Sequence, residues 1–189
     1  MLDFSAVKSG SLSFADMAKG LTKADLYQST NEMIDVMQEI VGDAVDVDVT
    51  FVPQDPNADD TFGKPEDANL AWTLGHVVVH ATASSEESAA LALELARGLP
   101  VEGRSRYEVP WESVTSIAQV RQRLKESRRM RLALLDAWPD EPHLENTYSP
   151  FPQIGELNAV GRFLLGLFHD ADHLDQLREI MRQAREARG

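Results

Sequence analysis

Four of the five histidines in this chain fall into two pairs spaced i, i+4, His76 with His80 and His169 with His173. On a helix, residues four apart differ by only about 40° around the axis and sit one turn above the other, so two such imidazoles can reach one ion. Five histidines scattered over the sequence would give about 0.13 such pairs by chance, which makes two pairs an event on the order of one in a hundred. The chain has no cysteine, so disulfides, thiolate ligands and a cysteine nucleophile are excluded, and any metal must be held by His, Asp or Glu. A histidine taken alone on an apolar face is more often a hydrogen-bonded core residue than a ligand. The two pairs together favour a divalent metal ion shared between two helices.

The neighbours of each pair fit an interior site. Leu165, Gln176 and Ile180 share the side of their segment with His169 and His173, and Gln176 is a candidate partner for an imidazole. Ser84 and Glu87 share the face of His80, so either is a candidate to orient a ring or to act on a bound water. The plain alternative for Glu87 is a solvated helix position. Three known metal patterns do not match. In the run His169-Asp-Ala-Asp-His173 the residue after the first histidine is Asp170, one methylene shorter than the glutamate of the zinc-protease helix. A di-iron bundle requires glutamate three residues before each histidine, where this chain has Thr73, Val77, Gly166 and Asp170. The dipeptide His169-Asp170 is similar to that of the metal-dependent phosphohydrolases, but their further Asp ligand far downstream has no counterpart here.

These residues need helices to position them, and the sequence predicts four. Thr22 with Asp25 three residues on resembles a capping pair, and Leu26, Met33, Ile34, Met37, Ile40 and Val41 recur on one face, giving a helix over about 22–42 that stops near Gly42. Ser13 also precedes an apolar-periodic stretch. Residues 43–72 hold Pro53, Pro56 and Pro65 with many Asp, which reads as a long acidic crossover and candidate lid; within it Val45, Val47, Val49 and Phe51 alternate like a short strand. Thr73 caps a second helix that carries His76 and His80 and ends near Arg97, before Gly98 and Pro100. Ser116 with Gln119 forms a capping box for a third helix, stopping at Trp138 and Pro139. After a proline-rich connection over 139–155, a fourth helix from Leu157 to Arg188 carries His169 and His173, with arginines in its last turns to suit the negative end of its dipole. Four long helices without an internal repeat make an all-α four-helix bundle the simplest architecture.

Composition bounds the rest. A chain of 189 residues with 43% hydrophobic and 26% charged residues is long enough for one buried core, so residues 1–189 are read as a single domain. The formal net charge of −13 repels nucleic-acid phosphates and anionic lipid, and no apolar run approaches a membrane span, so neither nucleic acid nor membrane is expected as a partner. No secretory signal precedes Leu12, which places the expected location in the cytoplasm.

The stretch from Trp72 to His80, WTLGHVVVH, and the stretch from Phe168 to Leu177, FHDADHLDQL, resemble the DinB/YfiT-like superfamily of metalloenzymes over nearly the whole chain. The resemblance implies an up-down-down-up four-helix bundle with long loops between helices 1 and 2 and between helices 3 and 4, often a homodimer. It implies an open three-histidine site for zinc, nickel or a similar divalent ion, with His80, His169 and His173 as ligands and a glutamine at the position of Gln176. His76 departs from the pattern: it is a possible fourth ligand or a neighbour of the site. Characterised members include thiol transferases and isomerases that use low-molecular-weight thiols, so the expected function is a metal-dependent thiol transferase-type enzyme acting on a small-molecule substrate. The basic residues Arg121, Arg123, Lys125, Arg128, Arg129 and Arg131 would either hold the carboxylates of such a thiol or form a solvated face. The rival readings are a non-catalytic or stress-associated bundle whose four histidines close the site, and an interaction bundle whose histidines are ordinary core residues.

Overall fold

The computed structural model describes residues 2–56, 58, 69–103 and 108–189. Among these residues it is all-helical: α1 (Ser5–Lys8), α2 (Phe14–Ala18), α3 (Lys23–Ile40), α4 (Asp46–Val49), α5 (Leu74–Ala96), α6 (Ile117–Asp136) and α7 (Ala159–Arg188), with a 3-10 turn at Trp111–Ser113. Each long helix starts where a side chain can take up an orphan backbone N–H. The Thr22 hydroxyl accepts from the Asp25 N–H while the Asp25 carboxylate accepts from the Thr22 N–H. Thr73 accepts from the His76 N–H, Ser116 and Gln119 cap each other, and Asn158 accepts from the Gly161 N–H.

The long helices bury their apolar stripes against one another. α5 packs on α6 and α7, and α3 packs on the same two helices, so α3 lies across the core from α5. Leu26, Met33, Ile34 and Met37 of α3 meet Leu74, Val77, Val78 and Leu95 of α5, Leu124 and Leu135 of α6, and Phe163, Leu164, Leu177 and Ile180 of α7 in one buried cluster. In front of this body, α1 and α2 lie along α7: Phe4 and Phe14 meet Phe168 edge-on at ring-centroid distances of 5.6 and 5.0 Å, and Lys8 pairs with Asp172 at 2.8 Å.

Four details differ from the sequence reading. The alternating valines after Gly42 form no strand; Asp46–Val49 is one helical turn, because the Asp48 carboxylate folds back to accept from the Val45 N–H at 2.8 Å and no strand among the described residues offers a ladder. The stretch after Ser13 is only the short helix α2, capped by the Ser13 hydroxyl on the Asp16 N–H. The last helix starts at Ala159 instead of Leu157, since Leu157 exchanges both backbone hydrogen bonds with Tyr148 and leaves Asn158 as the cap. The third helix ends at Asp136, two residues short of Trp138, whose ring is buried against Phe163. Of the candidate lid, residues 57 and 59–68 lie outside the described residues.

Candidate metal centre

The site forms between α5 and α7, one turn from a close approach of the two helices. At Gly166 the two backbones come so near that an added Cβ would stand 2.7 Å from the Cβ of Ser88 and 3.1 Å from the Cα of Ser85. The Ser85 hydroxyl fills the gap, its one hydrogen shared between the Gly166 carbonyl oxygen at 2.9 Å and Asp170 Oδ1 at 2.7 Å. One turn further along α7, that proximity brings His169 and His173 to the His80 side chain of α5. A potential ligand atom of each ring lies within 4.8 Å of those of the other two. His80 Nε2 and His169 Nε2 are 3.1 Å apart. All three residues are partly buried.

The donor set fits a divalent ion. Metal–imidazole bonds of about 2.0–2.1 Å in a tetrahedral site separate their nitrogens by roughly 3.4 Å, so the His80–His169 spacing of 3.1 Å, that of a hydrogen bond between the rings, is also close to that of two ligands on one centre. Two imidazole nitrogens at this distance must share a proton or a cation, because facing lone pairs repel. Three partly buried imidazoles are a donor set suited to zinc, nickel or copper and ill suited to magnesium or calcium.

The far sides of the rings are held as well. His173 Nδ1 lies 2.8 Å from Gln176 Oε1, so the Nδ1–H donates to the amide oxygen and Nε2 is left bare. Burial pushes the His173 imidazole below its ordinary pKa; the Gln176 hydrogen bond opposes this, and the neighbouring His80 adds to it. His173 is thereby kept in the neutral form that a metal requires. His80 Nδ1 faces Glu108 Oε1 at 3.4 Å, an arrangement of carboxylate behind imidazole.

The family model of the DinB superfamily matches residues 14–177. The chain belongs to the DinB superfamily. No curated protein and no solved structure matches it. Superfamily membership and the three-histidine cluster together fit the binding of a metal ion.

Within this DinB-superfamily protein the other residues singled out from the sequence are distributed as follows. His76 is buried one turn before His80 and outside the three-histidine group; its ring lies between those of Trp72 and Trp111. Ser84 is half-buried and Glu87 is buried in α5, about 6 and 10 Å along the axis from His80, so Glu87 is not a solvated helix position. Asp170 is fully buried and accepts from Ser85 and from Arg131 of α6 at 2.5 Å. The basic residues of α6 do not form one surface. Arg131 is buried on Asp170, Arg123 pairs with Glu86, Arg128 pairs with Asp35, Arg129 pairs with Glu126, and Arg121 donates to the Gly42 carbonyl.

Sequence reasoning missed Glu108, Trp72 and Trp111 as parts of the site. Trp72 sits at 4.5 Å from the His80 ring and 5.8 Å from the His173 ring. It stands just before the Thr73 cap of α5, four residues before His76 and eight before His80, a spacing that could have pointed to it. Glu108 and Trp111 come from the irregular connection before α6, where no periodicity announces a contact.

Proposed function

We propose that this protein holds one divalent ion, zinc or nickel, through His80, His169 and His173, keeps a coordination position open, and works as a metal-dependent thiol transferase-type enzyme on a small-molecule substrate. The observation that carries the reading is the convergence of three imidazoles from two helices, with donor atoms within 4.8 Å of one another. A bound ion of this kind lowers the pKa of a water or thiol in the open position to near neutrality and so supplies the nucleophile.

The chain's own groups serve that chemistry in distinct ways. Gln176 and Glu108 hold the His173 and His80 rings from behind. Trp72 lies against the His80 and His173 rings and limits how they turn. Ser84 and Glu87 are assigned proton transfer. The bundle is assigned the up-down-down-up order and the cytoplasm, and it works as a homodimer, with a low-molecular-weight thiol as the second substrate and neither nucleic acid nor membrane as partner. No helix among the described residues is long and apolar enough to cross a membrane.

The test begins with the metal content of the purified wild type beside His80→Ala and His173→Ala. It is followed by a conjugation assay of the loaded protein with glutathione, mycothiol or bacillithiol and an electrophile. Stoichiometric metal in the wild type, its loss in both variants and thiol-dependent turnover are expected. Metal lost in both variants without turnover of any thiol would reduce the reading to a metal-binding bundle; metal retained in both would remove the site itself.

A further inference from the structure

Four aromatic rings stand in a column that ends on the candidate metal centre. Trp111 and His76 stack at 4.7 Å between centroids with planes 4° apart, His76 and Trp72 at 4.4 Å and 21°, and Trp72 and His173 at 5.8 Å and 20°. The same Trp72 indole also meets His80 at 4.5 Å, tilted by 56°. The rings come from three places in the fold: the 3-10 turn at Trp111–Ser113, the first turn of α5 with the residue before its cap, and α7.

We propose that His76 is a positioning residue, the stacked spacer through which Trp111 fixes Trp72 against His80 and His173, and that it is not a fourth ligand. The inference rests on the three-histidine reading and specifies what the extra imidazole beside that site does. Each face of the His76 ring is covered by an indole, and its nitrogens are not in the group of donors that converge. A planar ring held between two others loses rotation about its side-chain bonds, and so do its neighbours; offset stacking of this kind is the favoured arrangement of aromatic pairs. Without the spacer, Trp72 has room to fall back toward Trp111, and the faces of His80 and His173 that it covers become free to turn. A three-ligand site whose rings must be ordered at the moment of binding is weaker than one whose rings are ordered beforehand.

Cobalt(II) titrated into the full chain tests this, because its visible absorption bands report affinity and ligand number together. The variants are His76→Phe, His76→Ala and Trp72→Ala, with His80→Ala as the control for loss of the site. His76→Phe keeps a flat ring and has no nitrogen, so it should bind within about threefold of the wild type with unchanged bands, whereas His76→Ala and Trp72→Ala should weaken binding roughly 10-fold or more, as lost supporting partners of ligands do. The near-UV circular dichroism of the stacked indoles, read in the metal-free protein, should survive in His76→Phe and collapse in His76→Ala. Equal loss in His76→Phe and His76→Ala, with bands shifted toward a lower ligand number, makes His76 a ligand and overturns the proposal. Unchanged binding in His76→Ala overturns it from the other side. A wild type that takes up no cobalt sinks the three-histidine reading, and this one with it, while a wild type that binds beside a silent His80→Ala leaves the outcome at His76 to decide the spacer role alone.

Discussion

Arg131 of α6 and Asp170 of α7 meet inside the protein, Nη1 2.5 Å from Oδ2, with 1% and 0% of their side chains exposed. Asp170 directly follows the candidate ligand His169, and it also accepts from Ser85 of α5. One carboxylate therefore ties three helices together immediately beneath the histidines. Breaking a buried pair strands the surviving charge, so Asp170→Asn should cost about 3–5 kcal/mol in urea denaturation. The double replacement Arg131→Met with Asp170→Leu should recover most of that loss, because a well-packed apolar pair removes both desolvation penalties. A single variant within about 1 kcal/mol of the wild type would show that the pair is not buried as described.

Glu108 stands behind His80 as a carboxylate behind an imidazole. Glu108→Gln keeps the shape and removes the charge, and metal affinity should fall roughly 10-fold while the melting temperature of the metal-free protein stays near that of the wild type. Competition with a chromogenic chelator measures the affinity. Unchanged affinity would mean that the 3.4 Å contact does not orient the ring.

Gly166 allows α5 and α7 to touch. Alanine there places a Cβ 2.7 Å from that of Ser88 and 3.1 Å from the backbone of Ser85, and backbone cannot step aside as a side-chain tip can. Gly166→Ala should destabilise by about 1–3 kcal/mol, the usual cost of overpacking, and weaken metal binding because His80 is carried away from His169 and His173. Thermal melts and metal titration on the same sample check both effects, and an unchanged pair of values would refute the close approach.

His173 gives the metal-free protein a defined pH response. Its imidazole pKa is lowered in the fold, first by burial, so the unfolded chain takes up a proton at a pH where the folded one does not. Stability must then fall as the pH drops below the ordinary histidine value of about 6.5, and level off below the folded value. Urea melts in chelator at about pH 7.5 and 5.5 should show this loss, and His173→Gln should make it shallower. An identical slope in the variant would assign the effect to other groups.

Much of this arrangement was legible in the sequence because it is local. The cap pairs Thr22–Asp25 and Ser116–Gln119 act over three residues, and the spacing of His169 and His173 needs only one helical turn. The apolar stripe of α3 was readable for the same reason, since 3.6-residue periodicity is a property of one segment. Contacts between distant segments were not readable. Nothing in the residues around Glu108 or Trp111 announces that an irregular connection lands on His80 and His76. Arg131 looked like one more cation in a basic run because its burial depends on where α7 places Asp170. The valines after Gly42 misled for a related reason: alternation describes a strand only if a neighbour exists, and here the Asp48 carboxylate closed a helical turn instead.

Two of the three donors ride on one helix at a fixed pitch, so, beside the turning of the rings, the donor triangle depends on the spacing of α5 and α7. That spacing is small at Gly166, where the absence of a side chain leaves room for Ser85 and Ser88. The contact at Gly166, which includes none of the three histidines, thus takes part in setting how far the donor on α5 stands from the pair on α7.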